Sequence, residues 1–236
     1  AWRRIFGIAA APAPAPPPPP DPEPVRAYGL AAPSPHTATV QVPAQVPDQA
    51  PAPDDAADVE VPGPYTVGVD LLGSPAVTGV RQEIAPTAAG RLTEIAAWIA
   101  LHPGADTTAL TEDIWPGGVS AAFRTAQLSA LRRWLGTDFQ SGDVYRFGAD
   151  TGTDWQRFQA LALRGRLKGA DGAGDLGAAL DLVRGRPFDG IPPRRYVWAE
   201  YLRQDMITAV VDTAALLAEL LLSAGEHVAA REAADK

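Results

Sequence analysis

Three arginines, Arg124, Arg132 and Arg133, stand in the stretch from Val119 to Thr137, which holds no acid although the whole chain carries a formal charge of -8. Guanidinium groups on an acid-free helix suit phosphate contact, because they displace counterions and donate charge-assisted hydrogen bonds. The stretch has the marks of a helix. Trp115-Pro116-Gly117-Gly118 forms a turn ahead of it, Ser120 can cap its start, Leu128, Leu131 and Leu135 recur at three-and-four spacing, and Gly136 supplies the stop. With Leu128 at the centre of the buried face, Ala121 falls inside with Leu131 and Leu135. Ala122, Ala126, Ser129, Ala130 and Arg133 then point outward, with Gln127 and Arg132 on the flanks. Arg124 falls near the apolar side, where its stem can cover core edges.

The candidate DNA-contacting residues are therefore Ser120, Ala122, Arg124, Gln127, Ser129, Arg132 and Arg133, joined by Arg146 from the segment that follows. The outward face is poor in donors, whereas base readout draws on Arg, Asn or Gln at base edges. A protein-contact surface and a solvated basic face without a partner stand beside DNA as alternatives. Arg146 has two readings as well, a phosphate or minor-groove contact and a strand arginine paired with Asp143 or Asp150.

Other chemistry finds little support. His36, His102 and His227 lack metal-ligand spacing, no Gly-x-x-x-x-Gly-Lys-Ser/Thr loop is present, and the paired carboxylates Asp54 and Asp55 lie where nothing would desolvate them. Neither an enzyme nor a cofactor or metal site is expected. Arg184-Gly185-Arg186-Pro187 matches the core of an AT-hook over four residues only and is read as a loop between helices. Arg194-Arg195, after Pro192-Pro193, is read as the solvated start of a long helix.

The elements that would position these residues follow from periodicity and punctuation. Tyr65 to Val80 reads as two short strands around Gly73-Ser74-Pro75. Arg91 to Leu101 reads as a helix with Leu92, Ile95, Ala96 and Ile99 on one side, closed by His102-Pro103-Gly104. Asp106 or Thr107 caps a second helix carrying Leu110 and Ile114, and the Ser120 helix is the third. Phe139 to Phe147 reads as a hairpin around Ser141-Gly142-Asp143. Beyond Asp150 the pattern is helical, with Asp154-Trp155-x-x-Phe158-x-x-Leu161, then Asp175 to Val183, a long helix from Tyr196 to Ser223, and a fourth beginning at Glu226.

Composition splits the chain, since 17 of its 24 prolines precede Tyr65. Residues 1–63 read as a disordered Pro/Ala-rich linker of extended, poorly burying character. Trp2-Arg3-Arg4-Ile5-Phe6 resembles the cytosolic flank of a membrane span, although the apolar stretch there is too short to cross a bilayer itself. A tether upstream of residue 1, at the inner face of the plasma membrane, is one expectation, and an untethered cytoplasmic chain is the other. The sequence holds no cysteine, which rules out a disulfide framework and thiolate metal sites.

Leu128-Ser129-Ala130-Leu131-Arg132-Arg133-Trp134-Leu135-Gly136 resembles the third helix of an OmpR-type winged helix as found in the Streptomyces antibiotic regulatory protein group, actinobacterial regulators with a recurrent Leu-Ser-x-Leu-Arg-Arg-x-Leu-Gly. Val69-Asp70-Leu71-Leu72-Gly73 looks like the opening strand of that fold. Tyr145-Arg146-Phe147 looks like the end of its wing, with Val144 in place of the usual glycine. Asp154-Trp155-x-x-Phe158, Ala178-Ala179-Leu180-x-Leu182, Gly185-x-Pro187-Phe188 and Leu217-Ala218 through Ala233 resemble the bacterial transcriptional activator domain, a helical repeat domain of tetratricopeptide type. The resemblance implies a mainly α fold with small β elements: a winged helix over 64–150 and a helical domain over 151–236. It also implies double-stranded DNA as partner, with RNA polymerase or another protein, or a second copy in a homodimer, meeting the helical domain. The rival expectation is a membrane-tethered protein-interaction module whose winged helix has lost specific DNA readout.

Overall fold

The computed structural model describes residues 56, 58–192 and 194–235. The linker up to residue 55, with the arginines near its start, His36 and the Asp54-Asp55 pair, lies outside the described residues. The chain is mainly helical with two small sheets.

Strands β1 (Val67–Asp70) and β2 (Ala76–Thr78) are the two short strands expected, and they pair antiparallel. Helix α1 (Pro86–Leu101) starts five residues before Arg91, because Pro86 occupies the first helical position, where its fixed φ and missing N–H cost nothing. Every residue from Leu92 to Ala100 is buried, so this part of α1 is enclosed on all sides instead of along a single stripe, while Pro86, Thr87 and Ala88 are exposed. Strand β3 (Ala105–Asp106) follows, and the Asp106 carboxylate caps helix α2 (Thr107–Ile114) by accepting from the Ala109 N–H at 2.9 Å. Helix α3 (Ala121–Leu135) ends on Gly136, whose φ of 74° makes a left-handed cap. A side chain at that position would also collide with the Arg81 stem, 2.8 Å away.

Strands β4 (Gln140–Ser141) and β5 (Val144–Tyr145) make the hairpin read from the sequence, with Gly142 at φ 61° taking the turn. Val144 can therefore occupy its strand position without strain. Strand β5 pairs on its other edge with β3, giving a sheet of order β3-β5-β4 beside the three helices. Neither β3 nor β6 (Thr151–Thr153) was legible as a strand. Strand β6 runs parallel to β1 and completes the order β2-β1-β6, so the residues from 151 onward begin inside the sheet opened by Val67.

Thr153 and Gln156 form a reciprocal capping box at the start of helix α4 (Asp154–Lys168), with bonds of 2.9 and 3.0 Å. The chain turns through Gly169–Gly172 into helix α5 (Ala173–Leu180), which starts before Asp175 and stops before Val183. A β-carbon at Gly172 would overlap the Gly165 backbone, so the two helices approach closely where both lack side chains. Arg164 and Lys168 clamp Asp175 across this pair at 2.6 and 2.7 Å. Helix α6 (Glu200–Ser223) is preceded by a tight 3-10 turn, Val197–Ala199, and does not include Tyr196, whose φ of 55° breaks the helical path. Gly225 returns the chain into helix α7 (His227–Ala234), which packs on α6.

One contiguous apolar core runs from Val67 through Trp98, Leu131 and Phe158 to Leu217 and Ala233. Two buried carboxylates bind distant segments to it. Asp154 accepts from the Leu71 and Leu72 N–H groups at 2.8 and 3.0 Å and from Arg184 at 2.7 Å. Glu94 of α1 accepts from Arg195 and from the Tyr196 N–H. The stretch Val197–Ser223 is long and apolar enough to cross a membrane, with a mean hydropathy of 1.8 and only 28% of that window buried inside the fold, although Met206, Val210, Ala214 and Leu217 belong to the core.

Candidate nucleic-acid interface

Helix α3 is anchored at its C-terminal half. Leu128, Leu131, Trp134 and Leu135 are buried, while Ala121, Ala122, Phe123, Thr125 and Ala126 are exposed. The first turns therefore project past the core. Ala121, expected on the buried face, is exposed because no element extends far enough to cover that end. Ala130, expected to point outward, is half-buried and packs against the core, because the buried arc widens to include Trp134.

The candidate residues separate clearly. Ser120 is exposed and caps the helix, its hydroxyl accepting from the Phe123 N–H at 3.2 Å. Ala122 lies on the exposed end. Arg124 is half-buried and reaches back to the Thr111 hydroxyl at 3.3 Å, consistent with a stem laid along the core edge. Gln127 and Ser129 are half-buried, and the Ser129 carbonyl accepts from Arg133 Nε at 3.4 Å. Arg132 is held by Asp138, with Nε 3.0 Å from Oδ1, and its guanidinium lies 5.3 Å from the centre of the Phe139 ring. Arg133 is exposed and forms no ion pair among the described residues.

Asp138 is the residue that sequence reasoning missed. It follows the Gly136 stop closely enough for the chain to fold back onto Arg132, a signal available in the six-residue separation. The Arg132 hydrogen bond, then the Gln140 and Phe139 N–H groups, hold its carboxyl below the usual aspartate range. Phe123 was missed as well. It is 49% exposed at the free end of α3.

Arg146 is exposed and continues β5, donating its backbone N–H to the Phe139 carbonyl at 2.7 Å. Its side chain lies against Gly104 and lines an open cavity of about 800 Å³ with Tyr65, Phe147 and Gln156. No ion pair joins it to Asp143 or Asp150 among the described residues. Arg146 and the free end of α3 are separate features of the N-terminal half, and Arg133 and Arg146 are both exposed and without an ion pair among the described residues. Comparison of the chain with protein-family models and with curated proteins finds no match in either.

Groups of His, Asp or Glu arranged to hold a metal are absent among the described residues. The AT-hook-like segment is bound into the fold. Arg184 pairs with Asp154, and the backbone N–H groups of Arg184, Phe188 and Asp189 donate to the carbonyls of Leu72, Leu71 and Gly73. It is therefore not an extended strand free to enter a minor groove.

Proposed function

We propose that this chain is a DNA-binding transcriptional regulator, with residues 64–150 acting as a winged helix and residues 151–236 as a tetratricopeptide-like activator or oligomerisation region. The reading rests on one observation above others: helix α3 leaves its exposed first turns uncovered, on a segment with three arginines and no acid, while its C-terminal end meets the β4–β5 hairpin through Arg132 and Gln140. A helix so presented has the dimensions to enter the major groove, while the hairpin follows the adjacent backbone. Arg133 supplies phosphate contact from the exposed face, and Arg146 supplies it from the hairpin. In this reading the protein works in the cytoplasm or at the inner face of the plasma membrane. RNA polymerase, another protein or a second copy meets the helices that follow residue 151.

The exposed Phe123 among alanines and the neutralisation of Arg132 favour a second reading, a tethered protein-interaction module built on the same frame. Binding of the full chain to a pool of random-sequence duplexes across a series of salt concentrations separates the two. A regulator retains binding that weakens linearly in log-log coordinates as counterions are released. Absence of binding at low salt would remove the first reading.

A further inference from the structure

Helix α6 carries a seam that no described residue covers. Tyr201, Thr208, Ala215 and Leu222 stand seven residues apart, and Gln204, Val211 and Ala218 stand seven apart between them. The alternating steps of three and four keep all of them on one side of the helix, the spacing by which one helix lies against another along its length. Tyr201, Val211 and Leu222 are 75%, 59% and 52% exposed, and only Ala218 of this set is half-buried. The seam is the reason that a stretch with a mean hydropathy of 1.8 is only 28% buried. Apolar surface of this extent left open to water marks a place where another molecule docks.

The two flanks of the seam differ in chemistry. On one, Asp205, Asp212 and Glu219 also recur every seven residues, each one position after a seam residue, so that they form a row of carboxylates about 10 Å apart along the helix. All three are exposed, and none makes an ion pair or a side-chain hydrogen bond with a described residue. On the other flank the seam borders a groove of about 490 Å³ walled by Val183, Pro187, Ile207 and Val210, and Arg186 is the one charged residue lining it. The groove has room for a large apolar side chain brought by a partner.

Charge selects among the occupants. An antiparallel α6 from a second copy would set the acidic row against its own twin, and a parallel one would offer three carboxylates a single arginine, Arg186. An anionic lipid surface meets the same repulsion. A helix with lysines or arginines beside its own apolar seam instead gains a pair at each carboxylate while burying the stripe. We propose that the α6 seam docks an amphipathic helix of another protein, with basic residues facing Asp205, Asp212 and Glu219 and an apolar side chain seated in the groove. The inference rests on the reading of residues 151–236 as a partner-contacting region and narrows that partner to one class, and it needs no DNA contact by α3.

Calorimetry of the full chain with two designed helical peptides tests it. Both peptides carry leucine at the seam positions of their heptads, one with arginine at every flanking position and the other with glutamate there. The arginine peptide is expected to bind saturably and about ten-fold more tightly than the glutamate peptide at low salt, a preference that shrinks as salt screens the pairs. The triple variant Asp205→Lys/Asp212→Lys/Glu219→Lys changes exposed side chains only, so its far-UV circular dichroism should match the parent's while the preference reverses. Val211→Gln/Leu222→Gln keeps every charge and should weaken the arginine peptide by at least about ten-fold, which a purely electrostatic association with an acidic chain would not show. Four results would each overturn the proposal. They are no saturable binding of the arginine peptide at low salt, equal affinity for the two peptides, and full affinity in Val211→Gln/Leu222→Gln. The fourth is a parent dimer in sedimentation that the same double variant splits, which would give the seam to a second copy. Duplex binding measured on the same chain is read separately, so none of these results decides the regulator reading.

Discussion

Arg195 donates to the Glu94 carboxylate from both Nε, at 2.9 Å, and Nη2, at 2.7 Å, joining residues 101 positions apart. Glu94 is 2% exposed and lies in the most enclosed helix of the molecule. A carboxylate there persists only when its charge is compensated, and Arg91 and the Tyr196 N–H complete the compensation. The same contact brings the Tyr196 hydroxyl close to a fixed negative charge. Burial first, and the Glu94 charge second, push the tyrosine well above its usual range. Through this pair the helix behind α3 and the loop ahead of α6 are held in one body.

Removing the Glu94 carboxylate leaves the buried Tyr196 N–H without its acceptor and Arg195, whose side chain is 24% exposed, without its partner. Glu94→Ala is therefore expected to destabilise the protein by about 1–3 kcal/mol. Because the lost contact joins both halves of one core, urea unfolding of the parent chain should follow a single transition when read by tryptophan fluorescence and by circular dichroism. Separate transitions for the two probes would show that the halves unfold independently.

Two aspartates give stability opposite dependences on pH. The Asp154 carboxyl is raised, with burial outweighing the Leu72, Leu71 and Arg184 hydrogen bonds. Its folded form binds the proton more tightly than the unfolded chain, so stability gains from this group as pH falls through the folded value toward the ordinary 3.8. Asp175 is lowered, by Arg164 first and then Lys168. Its contribution is complete above 3.8 and is lost as pH falls through its folded value. Urea titrations between neutral pH and about pH 3 should show that Asp154→Asn lacks the gain and Asp175→Asn lacks the loss.

Much of this arrangement was written locally. The Ser120 cap, the Leu128-Leu131-Leu135 face, the Gly136 stop and the hairpin around Gly142 each depend on neighbours within a few residues, and each is found in place. Strand β6 was hidden because Thr151-Gly152-Thr153 has no apolar alternation, its strand character coming from β1, more than 80 residues away. The start of α1 at Pro86 was masked by a first turn without a strong apolar period. At the candidate interface, spacing gave the directions of Arg124 and Arg133 but not the capture of Arg132. That capture needs the chain to turn at Gly136 and return Asp138 to the helix.

Freeing Arg132 should strengthen any duplex binding by this face. Asp138→Ala removes an exposed negative charge and releases the guanidinium from its only ion pair among the described residues. If Arg132 then reaches a phosphate, the log-log salt slope should steepen by about 0.9. Arg132→Ala in the parent should change the slope less than Arg133→Ala, because Arg133 is already free. Equal slopes in all four proteins, measured on the same duplex pool, would exclude both arginines from the contact.

Ala126 offers the sharpest separation of the two functional readings. It is exposed on the free end of α3, in line with Ala122 and Arg133, whereas Ala130 is half-buried and an arginine there would disturb the core. Ala126→Arg should therefore leave the melting temperature nearly unchanged, and Ala130→Arg should lower it. If α3 enters the major groove, the new side chain at 126 meets either a guanine edge or a phosphate. The first adds about 1–3 kcal/mol on those sequences that present the guanine. The second gives a smaller, sequence-independent gain with a steeper salt slope. A face devoted to a protein partner presents no groove to the new cation, so duplex affinity would stay at its parent level on every sequence. Selection from a random duplex pool with Ala126→Arg and the parent in parallel distinguishes these outcomes. Enrichment of a guanine at one fixed position by the variant alone would place residue 126 against the base edges and favour the regulator.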